Sequence, residues 1–269
     1  MHQFCCFCFF FFLYLFSSTT IASFDDYTAF VYVGCSQSKR IVESPYNTNV
    51  ESLFASLANA AAISSYESFT CTAASAANPA YGLFQCRTDL AVAYCASCVR
   101  SAIDQLSSLC PGATGAAVQL KGCLIRYADD AFLGKLETNL LFKKCGAPAS
   151  DASSASLLGM RDAAFDDLSS GGGSYRVGAA GRVRALALCV GDLTGKQCGD
   201  CVAAALAELK DACGVTDGGD AYLGKCYASY WSDGAYALGQ SRSKRPYDDR
   251  RWSDLFLLCF AHLVTLIFA

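Results

Sequence analysis

Twelve of the seventeen cysteines form one spacing pattern written twice, and that repetition decides most of what the chain can fold into. From Cys35 the pattern continues at Cys86, Cys95, Cys98, Cys110 and Cys123, with intervals of 51, 9, 3, 12 and 13. From Cys145 it continues at Cys189, Cys198, Cys201, Cys213 and Cys226, with intervals of 44, 9, 3, 12 and 13. Four identical intervals in a row identify tandem copies of one unit, each near one hundred residues. Other positions repeat in the same register. Asp89-Leu90 answers Asp192-Leu193, Cys98-Val99 answers Cys201-Val202, and Leu120, Cys123 and Tyr127 answer Leu223, Cys226 and Tyr230. Only twenty-two positions separate Cys123 from Cys145, so the connection is short and the two repeats are expected to lie against each other.

So many cysteines point to an oxidising compartment. Residues 1–23 support export, with an apolar run from Phe4 to Phe16 and small residues before Ser23; they read as a signal peptide that carries away Cys5, Cys6 and Cys8. Both histidines, His2 and His262, lie in the terminal apolar segments, so the body has no imidazole for a nucleophile relay, a metal site or acid–base chemistry. We expect neither an enzyme nor a cofactor. Residues 24–240 hold 16 basic against 21 acidic residues, which offers no field for nucleic acid or for polyanionic wall polymers. A polar basic segment at 236–254 precedes an apolar stretch at 255–269, which as a helix spans about 22 Å and is short for a bilayer core of about 30 Å. It reads as a short membrane span, a lipid-anchor signal or a tail that anchors nothing; attachment to a membrane is the expectation.

Within repeat 1, Cys95, Cys98, Val99, Ala102, Ile103, Leu106 and Leu109 form one apolar stripe, which predicts a helix over 91–109; its twin runs over 194–213, where Thr194 and Gln197 fit a capping box. Asp89 and Asp192 are positioned to accept from free amides at those helix starts. Further helices are predicted over 49–62 and 154–168, and strands over 30–34, 81–87, 117–127, 182–190 and 220–231. The class is therefore α+β, as two tandem disulfide-stapled domains, at 25–134 and 138–235.

The C-x2-C pair in each repeat has three readings: zinc ligands, a redox dithiol, or half-cystines with different partners. Secretion favours the last, and on a helix Cys95 and Cys98 share a face from which each reaches a different strand. Spacing alone leaves fifteen pairings per repeat open. The C-x8-C-x2-C string at Cys86/Cys95/Cys98 and at Cys189/Cys198/Cys201 resembles the signature of the plant ginkbilobin-homologous cysteine-rich domain, over nearly all of residues 25–235. The resemblance implies an antiparallel sheet packed with two helices, and the pairs Cys35 with Cys110, Cys86 with Cys95, Cys98 with Cys123, Cys145 with Cys213, Cys189 with Cys198 and Cys201 with Cys226. Cys71 has no place in that scheme and reads as a buried thiol.

Two such domains behind a signal peptide, with the strings VYVGCSQSK at 31–39, YGLFQCRTDL at 81–90 and FKKCG at 142–146, are similar to the plasmodesmata-located protein family and its secreted cysteine-rich relatives. The resemblance implies a non-enzymatic extracellular binding or scaffold protein at the plasma membrane of plasmodesmata, associating with like ectodomains or cell-wall components and modulating traffic between cells. The alternative it carries is a secreted antifungal or glycan-binding defence protein. Mannose binding in the ginkgo member is attributed to an Asn, an Arg and a Glu; the corresponding positions hold Ser36, Ala117 and Ala128 in repeat 1 and Gly146, Asp220 and Trp231 in repeat 2. Methyl groups cannot make those hydrogen bonds, so that mode is not expected. The pairs Asp129/Asp130 and Asp166/Asp167 read as solvated carboxylates, Gly171-Gly172-Gly173 as a turn, Arg126 as a surface residue at a strand end, and Tyr222, Tyr227, Tyr230 and Trp231 as split between core and surface.

Overall fold

The two repeats have the same fold, strand for strand. In the computed structural model, which describes residues 27–149 and 154–232, repeat 1 runs β1 (Phe30–Cys35), α1 (Pro45–Ala60), β2 (Tyr66–Cys71), β3 (Ala80–Cys86), α2 (Val92–Leu109), β4 (Ala116–Leu120) and β5 (Cys123–Ala128). Repeat 2 runs β6 (Leu140–Cys145), α3 (Ser154–Ser170), β7 (Tyr175–Ala180), β8 (Val183–Cys189), α4 (Gly195–Cys213), β9 (Gly218–Leu223) and β10 (Cys226–Ser232). Each sheet is antiparallel, in the orders β1-β4-β5-β3-β2 and β6-β9-β10-β8-β7.

Strand periodicity sorts the side chains onto two faces. In β5, Cys123, Ile125 and Tyr127 enter the core under α1 and α2, together with Phe84, Val99 and Leu106. The alternate residues, Leu124 and Ala128, point the other way into an apolar cluster with Leu83, Phe132 and Val190. Repeat 2 copies this: Tyr230 and Ala228 lie under α3 and α4 with Phe165, while Tyr227 faces away. Both faces of each sheet are thus covered, and the order of layers is helix, sheet, sheet, helix.

Six disulfides join Cys35–Cys110, Cys86–Cys95, Cys98–Cys123, Cys145–Cys213, Cys189–Cys198 and Cys201–Cys226, each within its own repeat. Cys86 and Cys123 are directly opposite on neighbouring strands, yet each bonds to α2 instead, because Cys95 and Cys98 project from one face of that helix onto the two strands. Close contact between helix and sheet also needs small residues. A Cβ added at Gly178 in β7 would lie 2.1 Å from the Ala164 carbonyl oxygen of α3.

The structure departs from the sequence reading at several elements. α1 begins at Pro45, four residues earlier than predicted, since the Ser44 hydroxyl accepts from the Asn47 amide and proline suits the first helical position. The segments read as single strands over 117–127 and 220–231 are hairpins, turning at Lys121-Gly122 and Gly224-Lys225. β2, β6 and β7 were not predicted. All three are edge strands whose residue types do not follow their burial: in β7 the buried positions are Arg176 and Gly178 while Val177 is exposed. Thr194 does cap α4, with Gln197 returning to the Thr194 amide. Asp89 and Asp192 are engaged elsewhere, as described below. The segments at 1–23, 236–254 and 255–269, with both histidines, lie outside the described residues, among which no helix is long and apolar enough to cross a membrane.

Candidate binding surface at the junction of the repeats

The sheet faces turned away from the helices meet each other. Tyr32 and Phe142 occupy the same position in the two repeats, three before the first cysteine of each set. Their rings stack on each other, with centroids 6.1 Å apart. Tyr222 packs edge-on to Tyr32 and stacks on Tyr227, and Leu186 and Leu188 complete the cluster. The phenols of Tyr32 and Tyr227 are buried here, and loss of hydration raises the pKa of both well above the ordinary phenol range. Tyr230, three residues on from Tyr227, faces the opposite side and packs on Phe165.

Directional contacts cross the junction at its margins. The Gly191 amide donates to Gln85 Oε1 at 2.9 Å. On the connector side, Arg126 makes a two-pronged ion pair with Glu137, at 2.6 and 3.1 Å, and lies 4.0 Å over the ring of Phe132. Arg126 is therefore a half-buried mid-strand residue of the junction, not the surface residue at a strand end that its sequence setting predicts. Lys225 Nζ lies 5.0 Å from the centroid of the same ring and pairs with Asp192. Burial pulls the Lys225 ammonium below its ordinary range against the opposing pull of Asp192. The equivalent carboxylate in repeat 1, Asp89, pairs instead with Arg87 at 2.6 Å, so neither aspartate serves the helix start beside it.

Between β1, β4, β5 and the connector runs a groove of about 370 Å³, within the range of small-ligand clefts. Its wall brings together Tyr32, Ser36, Ala117 and Ala128 with Arg126 and the carboxylates Asp129, Asp130 and Glu137, and Gly224 of repeat 2 closes one end. The three sugar-site positions of repeat 1 thus share one wall, but they present a hydroxyl and two methyl groups. In repeat 2, Asp220 is taken up by the Ser229 hydroxyl. Asp129, Asp130, Asp166 and Asp167 are exposed, and Gly171-Gly172-Gly173 forms the turn into β7. No group of three or more metal-ligating side chains converges among the described residues. Cys71, at the end of edge strand β2, is a free, half-buried thiol whose pKa is raised by burial. The groove has aromatic, small and acidic walls. Arg126 and Phe132 gave no signal in the sequence, because their importance depends on which repeat faces them.

Comparison with known proteins gives a consistent picture. The family described as "Salt stress response/antifungal" matches residues 34–130 and again residues 137–233. Plasmodesmata-located protein 7 of Arabidopsis thaliana is 41% identical over 239 residues, covering 88% of this chain and 80% of that protein. The crystal structure of the tandem DUF26 ectodomain of the Arabidopsis thaliana cysteine-rich receptor-like protein PDLP8 superimposes with a TM-score of 0.74 at 35% identity, over 77% of this chain and 100% of that one. Antifungal protein ginkbilobin-2 of Ginkgo biloba is 35% identical over 106 residues, 39% of this chain and 79% of that protein.

Proposed function

Since the chain belongs to the salt stress response/antifungal family, as two tandem copies of its domain, we propose that it is a non-enzymatic extracellular binding and scaffold protein of plasmodesmata that modulates movement between cells. The observation that carries this reading is the junction. Two stapled domains are joined through aromatic side chains into the arrangement of a tandem ectodomain, and the relatives similar over most of the chain are named for plasmodesmata. Such a body offers grooves and edges for recognition, and its partners are like ectodomains or neutral wall components. Export to the outer face of the plasma membrane, with attachment through the apolar segment at 255–269, belongs to the same proposal.

The test is to express the intact chain with a fluorescent protein inserted between Gln240 and Ser241 and to image leaf epidermis before and after plasmolysis. Punctate signal kept at opposed walls is expected; diffuse signal that washes from the wall space would overturn the reading.

A second reading, a secreted antifungal or glycan-binding protein, is favoured by the similarity to ginkbilobin-2. Ser36, Ala117 and Ala128 weigh against a mannose site of that kind. Saturable binding of the purified protein to mannan on a glycan array would favour it over the channel reading.

A further inference from the structure

We infer that Lys225, Asp192 and Phe132 form a clasp that fixes the orientation of repeat 2 on repeat 1, and that its contribution is to geometry more than to stability. The rest of the junction is largely aromatic and aliphatic, with the equivalent residues Tyr32 and Phe142 stacked on each other. Apolar burial is non-directional, so such a face holds two domains together without choosing one rotation between them. The clasp adds direction to that of the Gly191–Gln85 hydrogen bond and the Arg126–Glu137 pair at the margins.

It is built asymmetrically. The position before the sixth cysteine is Gly122 in repeat 1 and Lys225 in repeat 2. In repeat 1 the preserved aspartate, Asp89, is 39% exposed in its pair with Arg87. In repeat 2 the side chains of Lys225 and Asp192 are only 1% and 7% exposed, because the connector from repeat 1 lies over them. Phe132 of that connector is fully buried, with the Arg126 and Lys225 cations 4.0 and 5.0 Å from its ring centroid. Gly134, in the left-handed region at φ 71°, donates its amide to Asp192 Oδ2 at 2.8 Å, the same oxygen that holds Lys225. The Gly134 carbonyl accepts from Gln197 Nε2 at 3.3 Å. Lys225 and Asp192 both belong to repeat 2 and stay paired on rotation, but rotation would strip the Gly134 amide and the Phe132 ring of the connector from them, losing a charge-assisted hydrogen bond and a cation–π contact.

The pair is not arranged for maximum stability. Asp192 Oδ1 is buried without a hydrogen-bond partner. Desolvation offsets much of the attraction in a buried pair, and apolar replacements of similar volume are often neutral or stabilising. The clasp also flanks the groove, through Gly224 beside Lys225 and Glu137 beyond Phe132, so the orientation it sets fixes that wall; the inference itself does not depend on what the groove binds.

The test compares the full chain with the double variant Asp192→Leu/Lys225→Met, using residual dipolar couplings and the denaturation midpoint. In the native protein one alignment tensor fits both repeats. In the variant the midpoint is expected to hold or rise, while the repeats require separate tensors, that of one falling to about half the magnitude of the other or less. A single tensor fitting both repeats of the folded variant would overturn the inference. Should the double variant fail to fold, Phe132→Leu, which keeps both charges paired, decides on the same readout: separate tensors support the clasp, and one shared tensor overturns it.

Discussion

Removing the disulfides one pair at a time, with both cysteines changed to alanine, should rank them by the length of chain each encloses. In repeat 1 the separations are 75 residues for Cys35–Cys110, 25 for Cys98–Cys123 and 9 for Cys86–Cys95. If each bond acts by restricting the unfolded chain, the loop-closure relation gives losses of about 4.5, 3.5 and 2.6 kcal/mol respectively. Alanine is the right replacement, since Cys86, Cys98 and Cys123 are almost fully buried and a serine would bring in an unsatisfied hydroxyl. Urea unfolding monitored by tyrosine fluorescence, with the slope checked for constancy, measures each loss. Repeat 2 supplies an internal control, because its separations of 68, 25 and 9 predict nearly the same series. A loss for Cys86–Cys95 equal to or larger than that for Cys35–Cys110 would refute the entropic reasoning and assign the short staple a packing role.

Two other outcomes follow from burial and close contact. Because the Tyr32 and Tyr227 phenols have folded pKa values raised above the ordinary 10.0, the unfolded chain loses those protons first, and stability present below pH 10 is lost as pH rises beyond it. Each group contributes up to about 1.4 kcal/mol per pH unit above pH 10, so a Tyr32→Phe/Tyr227→Phe variant should lose up to about 2.7 kcal/mol per pH unit of the native slope, and a variant that keeps the full slope would contradict the assignment. Gly178→Ala should cost ~3 kcal/mol or more in the same unfolding assay, since the new methyl would sit 2.1 Å from the Ala164 carbonyl oxygen, and a loss below ~0.5 kcal/mol would show that α3 shifts freely on β7.

What was legible in the sequence was whatever each repeat specifies by itself. The stripe from Cys95 to Leu106 identified α2, and it also showed that the two cysteines of the C-x2-C string address different strands, as they do in the bonds to Cys86 and Cys123. Alternation along the last strand predicts that its aromatic residues divide between two faces, and Tyr230 and Tyr227 do so, though both faces are buried. Edge strand β7 escaped because its buried positions carry Arg176 and Gly178 and an exposed one carries Val177, so the hydropathy pattern hides the alternation. The junction was hidden for a different reason. Arg126, Phe132, Lys225 and Asp192 are distant in sequence, and each looks like an ordinary surface or turn residue until the second sheet is placed against the first. Asp192 in particular was read as a helix-start acceptor, a local role that Thr194 fills, which leaves the carboxylate for Lys225 and Gly134.

The most direct test of the functional account is the spread of a freely diffusing fluorescent protein from single transformed leaf cells. The intact chain is co-expressed there, and a version lacking residues 255–269 serves as comparison. The account predicts that the intact chain changes the number of neighbouring cells reached, while the truncated chain, exported but unattached, leaves it at the control value. Equal spread with and without the intact chain, despite its accumulation at the cell wall, would contradict a role in movement between cells.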